Sequence, residues 1–249
     1  MTNLQAGASL LAFDTSTESM AIALSLPQGT TARDTVGGAQ ASARLIPELL
    51  ALLSQAGCTL ADLDAIAFGC GPGAFTGLRT ACSVAQGLAY GAAKPVIPVS
   101  SLLLVAEDAR AQLGSGSFDG WVAMDARMDE IYAAAYRWQG ERWQVLRAPA
   151  LYALDALNAV WQTEPPDVVA GSALGGFGAR LLVGEASLLP EPHSRAAALA
   201  RLARQLWAEG VSVDAADALP VYLRDKVAQT TAERETLRAA KETLKEAGS

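Results

Sequence analysis

Hydrophobic and polar positions alternate along this chain in blocks that switch between strand-like and helix-like periods. Leu11 to Phe13 is apolar, Asp14 to Ser19 is polar, and Met20 to Leu24 is apolar again, the pattern of a β-hairpin. A helical stripe follows from about Ala43 to Ala56, carried by Leu45, Ile46, Leu49, Leu52, Leu53 and Ala56, with Leu50 lying off the stripe. Residues 65–69 read as a strand, 71–74 as a glycine-rich turn, 75–90 as a helix and 96–99 as a short strand. Ser100 or Ser101 can then cap a helix running to about Leu113. Strands alternating with helices imply an α/β sheet.

The chain also echoes itself. Val122 to Ala135 repeats the layout of the opening hairpin with no gap, placing Asp125 under Asp14, Asp129 under Glu18 and Ile131 under Met20. A strand near 143–146, a helix over 154–161, a strand over 168–170 and a helix over 194–208 complete the second copy. Gly114, Ser115, Gly116 and Ser117 form a flexible stretch between the copies. The expected organisation is an N-terminal lobe over 1–113, a C-terminal lobe over 114–225 whose last helix is able to pack back on the N-terminal lobe, and a polar, helical or frayed tail over 226–249.

The glycine-rich stretch Gly71-Pro72-Gly73-Ala74-Phe75-Thr76-Gly77-Leu78-Arg79 has the look of a phosphate loop without its chemistry. A Walker loop requires Lys and Ser or Thr after its last Gly, where this chain has Leu78 and Arg79. Counting a dinucleotide fingerprint from Gly71 and Gly73 puts the third glycine at Thr76. What remains is a backbone that bends sharply and starts a helix.

Composition narrows the function classes. The chain has 249 residues, 51% hydrophobic and 18% charged, enough for one large domain or two lobes of roughly 100 to 150 residues. No apolar run approaches the roughly 20 residues of a spanning helix, and residues 1–7 lack a signal-peptide pattern, so the expected compartment is the cytoplasm. The net charge of -7 argues against this chain gripping nucleic acid by itself, because phosphate contacts supply most of such affinity. Cys58, Cys70 and Cys82 form no CxxC pair and read as buried thiols, and the lone His193 reads as a loop residue ahead of a helix, leaving no candidate metal site.

Two helices carry more apolar surface than one face needs. Gly77, Ala81, Ala85 and Ala89 are spaced by four and stack in a row along which another helix could approach closely. The Leu-rich stripe of the preceding helix offers a complement, provided that Pro47 lies in or near its first turn. Both helices could bury these faces on their own sheet, or pack against an equivalent pair in a four-helix contact. On the second reading, Ala85→Arg or Gly77→Leu should abolish docking and leave the chain folded.

Taken together, Leu11-Ala12-Phe13-Asp14-Thr15-Ser16-Thr17, the run Gly71 to Arg79, Pro98-Val99-Ser100-Ser101-Leu102, Asp125-Ala126-Arg127-Met128-Asp129-Glu130-Ile131-Tyr132 and Pro220-Val221-Tyr222-Leu223-Arg224 resemble the TsaB family, also called YeaZ, a paralogue of TsaD. The resemblance spans positions 11 to 224. It implies the actin-like ATPase fold (ASKHA, ribonuclease-H-like), with two duplicated lobes of mixed sheets flanked by helices. It also implies a part in forming threonylcarbamoyladenosine beside the tRNA anticodon. In that pathway one enzyme makes threonylcarbamoyl-adenylate, TsaD transfers the threonylcarbamoyl group, and TsaE is an associated ATPase.

Family members are understood as non-catalytic dimerisation subunits, so the resemblance implies a heterodimer with TsaD, a homodimer when alone, and tRNA contact mainly through the complex. The expected partner surface is Leu45, Ile46, Leu49, Leu50, Leu52, Leu53, Phe75, Gly77, Leu78, Ala81, Ala85 and Ala89. TsaD holds a metal through histidines on its first helix, whereas Gln40 to Pro47 contains none, even where many TsaB relatives keep one. Asp14, Thr15, Ser16, Thr17 and Asp125 stand as degenerate phosphate loops, with turn stabilisation the simpler role. No cofactor is expected, and weak nucleotide binding stays open. The competing class is an autonomous actin-like ATPase or kinase, or a glycoprotease-like hydrolase, in which Asp14 and Asp125 would serve as metal-water contacts.

Overall fold

The computed structural model describes residues 7–114 and 116–224. The expected features at 1–6, at Ser115 and in the tail over 226–249 lie outside those residues. The first half runs β1 (Leu10–Asp14), β2 (Ser19–Leu26), β3 (Gly29–Val36), α1 (Ala41–Gln55), β4 (Ala65–Gly71), α2 (Phe75–Ala92), β5 (Val96–Ser100) and α3 (Ser101–Leu113). The second runs β6 (Phe118–Asp125), β7 (Glu130–Gln139), β8 (Arg142–Ala153), α4 (Leu154–Thr163), β9 (Val168–Ala170), α5 (Ala173–Phe177), β10 (Ser187–Leu189) and α6 (Arg195–Ala208).

Each half builds a five-stranded sheet, in the order β3-β2-β1-β4-β5 in one and β8-β7-β6-β9-β10 in the other. In both, the opening strand pairs antiparallel with the next strand and parallel with the fourth. The topology is therefore duplicated strand for strand. Three elements escape the hydrophobic pattern. The edge strand β3, GTTARDTV, is largely exposed and has no apolar alternation to betray it. The strand β10 and helix α5 are three and five residues long, too short for a periodicity to register. The strand expected near 143–146 extends over Arg142–Ala153.

On one face of the first sheet lie α1 and α2, whose Leu45, Leu49, Leu52, Leu53, Ala81, Ala85 and Ala89 pack with Phe13, Ile22, Ile66 and Phe68. On its other face lies α6, whose Ala196, Leu199, Leu202 and Ala203 meet Leu10, Ala12, Ala21 and Val99. The first-half helix α3 in turn covers the second sheet through Leu102, Ala106 and Ala109 against Phe118, Val122 and Ala134. The last helix of each half thus covers the sheet of the other, which ties the halves together. The outer face of the second sheet is filled by α4 and α5 around Trp121 and Trp161, set edge to face at 5.9 Å.

Polar contacts fix the register of that exchange. The first turn of α6 donates Ala197 N–H to Ser194 Oγ at 3.2 Å, and the carboxylates of Asp34 and Asp108 take Ala196 N–H and the N–H groups of His193 and Ser194. Two acids at a helix N-terminus complement its dipole. The buried Glu107 of α3 accepts from Arg110 on its own helix and from Arg201 of α6.

Pro47 is the seventh residue of α1, one full turn beyond its expected place. It sits on the exposed side of the helix, where the Ala43 carbonyl that loses its donor is open to water. Among the described residues no helix is long and apolar enough to cross a membrane.

Candidate functional site

The loop after β1 and the glycine-rich turn after β4 are built against each other. Thr15 Oγ1 donates to Gly77 O at 2.7 Å, and Ala74 N–H donates to Ser16 O at 2.8 Å. A β-carbon on Gly77 would fall 1.8 Å from Thr15 O, and one on Gly73 would fall 2.6 Å from Ser16 Cβ. Both glycines therefore admit the neighbouring loop rather than a phosphate or a partner helix.

Asp14 is fully buried beneath this contact. Its Oδ1 accepts Ser16 N–H at 2.9 Å, Ser16 Oγ at 2.6 Å and Arg195 Nη2 at 3.0 Å, while Oδ2 accepts Ser101 Oγ at 3.1 Å. In the second copy Asp125 Oδ1 accepts Arg127 N–H at 2.7 Å, the same bond to the residue two positions on. The echo between Asp14 and Asp125 is thus an Asx-turn repeated in both lobes. Thr17 Oγ1 closes its own turn on Ser19 O at 2.9 Å. A nucleotide-bound magnesium ion, as the actin-like fold suggests, would need free carboxylates here. The buried pairing of Asp14 with Arg195 does not fit it, whereas the Asp125 contact with the exposed Arg127 is a weak surface pair.

The segment from Ala218 to Arg224 straps the lobes together. Ala218 O accepts from Gln86 Nε2 at 2.9 Å, Val221 N–H donates to Cys70 O at 2.7 Å, and Tyr222 rests on Phe75 with ring centroids 5.4 Å apart. Arg224 then crosses to the second hairpin, reaching Ala126 O at 3.0 Å and Glu130 at 2.6 Å. It grips a loop in which Arg127, Met128 and Asp129 all adopt left-handed backbone angles, unusual for residues with side chains. Between strap, loops and α3 opens a cleft of about 690 Å³, lined by Ser16, Ala74, Phe75, Tyr132, Arg195 and Arg224 among others.

Burial revises the surface expected for a partner. Leu45, Leu49, Leu52, Leu53, Leu78, Ala81, Ala85 and Ala89 are all buried, each 3% exposed or less, and Gly77 is buried too. The small-residue row faces the chain's own sheet, because removing bulk there lets α2 settle on β1 and β4. Ala85→Arg or Gly77→Leu would therefore disrupt the fold instead of leaving it intact. Phe75 is half-buried under Tyr222. Of the expected set, Ile46 and Leu50 are exposed, at 42% and 49%. They share the outward side of α1 with Ala43, Pro47 and Ala51. On α2 the outward row is Ser83, Gly87 and Gly91, ending beside Tyr90, and no atom would meet a β-carbon placed on Gly87 or Gly91. The four-residue spacing does mark a small row, and a second such row lies two positions on, about 200° round the helix and so on its opposite side.

Arg195, Asp34 and Asp108 were not among the expected site residues, and Arg224 stood only as the end of the Pro220 to Arg224 motif. A signal existed for Arg195: a cation in the first turn of a helix opposes the helix dipole and so calls for a carboxylate. Cys70 and Cys82 are buried and Cys58 half-buried. Burial, with the Asp14 charge adding to it, pushes the Cys70 thiol up to about 12.

Two duplicated α/β lobes with exchanged helices define a protein of the actin-like, ribonuclease-H-like class. Residues 36–175 match the family model TsaD, tRNA N6-adenosine threonylcarbamoyltransferase. The chain is 34% identical to the Escherichia coli tRNA threonylcarbamoyladenosine biosynthesis protein TsaB, over 88% of this chain and 96% of that protein. It is 31% identical to the Haemophilus influenzae protein of the same name, over 88% and 94%. The solved structure of YeaZ from Pseudomonas aeruginosa superposes with a TM-score of 0.75 at 36% identity, covering 87% of this chain and all of that one. Another Pseudomonas aeruginosa structure, described as similar to the peptidase YeaZ, gives 0.77 at 38% identity, covering 87% and all. This chain belongs to the TsaB (YeaZ) family.

Proposed function

We propose that this chain acts in tRNA threonylcarbamoyladenosine biosynthesis as the non-catalytic partner of a TsaD protein, docking through the outward faces of α1 and α2. The observation that carries the pathway assignment is the match to nearly the full length of a protein named for it. Docking is supported by the exposed apolar side chains Ile46, Leu50 and Tyr90 beside a Ser83-Gly87-Gly91 row that permits close helix approach. The strap touches α2 at Phe75 and Gln86 and leaves Ile46, Leu50, Gly87, Tyr90 and Gly91 exposed.

The non-catalytic part of the reading is supported by the pairing of the loop carboxylates. Asp14 is buried and paired with Arg195, so it is not free for an ATPase or hydrolase role. TsaD is the expected heterodimer partner, with a second copy of this chain taking its place by mass action when TsaD is absent. TsaE and a threonylcarbamoyl-adenylate synthase complete the pathway, and tRNA is held by the complex, consistent with the net charge of -7.

Co-expression with the TsaD protein of the same organism tests this reading. The expected result is a co-purifying complex whose mass is the sum of both chains, with the modified nucleoside formed only when both are present. Nucleoside formation by TsaD without this chain would overturn it, as would ATP turnover by this chain alone.

A further inference from the structure

The structure assigns a modification site to the loop of the second hairpin: Met128 is an oxidation site whose sulfoxide fastens Arg224, and with it the strap, to that loop. The inference stands apart from the docking reading, and Met128 is not among the residues lining the cleft. Three observations carry it. First, Met128 is 52% exposed in the turn between β6 and β7, so its thioether meets solvent where a methionine is ordinarily covered. Met20 and Met124, by contrast, are buried.

Second, the loop is held from several sides, which gives the sulfur a fixed place. Arg127, Met128 and Asp129 take φ values of 63°, 59° and 58°, a left-handed run that side chains disfavour. It is kept by Asp125 Oδ1 on Arg127 N–H, by Arg180 Nη1 on Asp129 at 2.9 Å, and by the bond from Ala126 N–H to Glu130 O at 2.9 Å. Third, Arg224 Nη1 donates to Met128 Sδ at 3.0 Å. Its Nη2 has better acceptors, Ala126 O at 3.0 Å, Arg127 O at 3.2 Å and the Glu130 carboxylate at 2.6 Å. Among the described residues Nη1 donates to the thioether alone, the weakest acceptor of the set.

Hydrogen peroxide is the oxidant. A sulfur lone pair attacks one peroxide oxygen, the O–O bond breaks, and the departing oxygen takes the proton of the transferred one and leaves as water. The sulfur is oxidised and the peroxide is reduced. The guanidinium beside the sulfur favours this step, because its N–H stabilises the negative charge that builds on the departing oxygen. The product carries a dipolar S–O oxygen in place of a weak thioether acceptor, so Arg224 Nη1 gains a stronger, charge-assisted bond. Arg224 ends the strap that ties the lobes, and oxidation of Met128 therefore tightens that tie.

Treatment of the full chain with hydrogen peroxide, read by peptide mass spectrometry and then by hydrogen exchange, tests the site. Met128 should take up oxygen at least about tenfold faster than Met20 or Met124. In the oxidised parent the amides within residues 219–224 should exchange at least about threefold more slowly than in the reduced one, the factor that one strengthened hydrogen bond gives. Met128→Leu, treated alike, should show no slowing. Arg224→Lys, which keeps the charge and loses the guanidinium fork, should take up the oxygen without the slowing. Oxidation of Met20 or Met124 as fast as Met128 would overturn the inference. So would exchange in the oxidised parent that is unchanged or faster, or slowing that persists in either variant.

Discussion

Arg195 and Asp14 lie 181 positions apart in the chain and meet at 3.0 Å with both side chains buried. The helix that closes the second repeat is thereby pinned to the strand that opens the first. The pair sits under the contact between the two loops most characteristic of the family, and it removes from Asp14 the freedom that metal chemistry would need.

Truncating Arg195 leaves Asp14 charged, buried and short of its counter-ion. Arg195→Ala should cost about 3–5 kcal/mol in urea unfolding. Adding Asp14→Asn to that variant should restore part of the loss. A change below about 1 kcal/mol would mean the pair is not buried as described.

The same substitution on one helix should have opposite signs at two glycines. Gly77→Ala drives a methyl group into Thr15 O, 1.8 Å away, and should destabilise by more than about 2 kcal/mol or prevent soluble expression. Gly87→Ala meets no atom within 4 Å and should stabilise by about 0.5–1 kcal/mol through helix propensity. Thermal melts of the two variants decide the matter, and equal shifts would refute it.

Alkaline pH should destabilise the fold. Burial pushes both the Cys70 thiol and the Tyr136 hydroxyl up to about 12 in the folded chain, from ordinary values of 9.0 and 10.0. Above pH 9 the unfolded chain sheds these protons while the folded one keeps them. Stability that is full below that point therefore falls as pH rises toward 12, by up to about 1.4 kcal/mol per group per pH unit. Urea midpoints at pH 8 and pH 10.5 check this; a midpoint that rises would contradict it. Over the same range Cys58, only half-buried, should be alkylated well before Cys70 and Cys82.

Much of the fold was legible because the signals were local. Hairpin alternation marked β1 with β2 and β6 with β7, and the equal spacing from Asp14 to Met20 and from Asp125 to Ile131 marked the duplication. The exposed edge strand β3 and the short β10 lacked any such pattern. The candidate site was less legible, because its chemistry is long-range: nothing near Asp14 announces Arg195, and nothing near Ala126 announces Arg224. The helix faces were misread for a related reason. Periodicity reveals that α2 carries small residues in rows, but only the sheet decides that Gly77, Ala81, Ala85 and Ala89 turn inward while Ser83, Gly87 and Gly91 turn out.

The most direct measurement is a co-purification of the double variant Ile46→Glu, Leu50→Glu with TsaD, with Val145→Glu at an exposed position of the edge strand β8 as the control. Charges at the two outward α1 positions, 42% and 49% exposed, should leave the melting temperature within a few degrees of the parent and abolish the complex. The control should bind as the parent does. Retention of the complex by the folded double variant would contradict docking through α1 and α2.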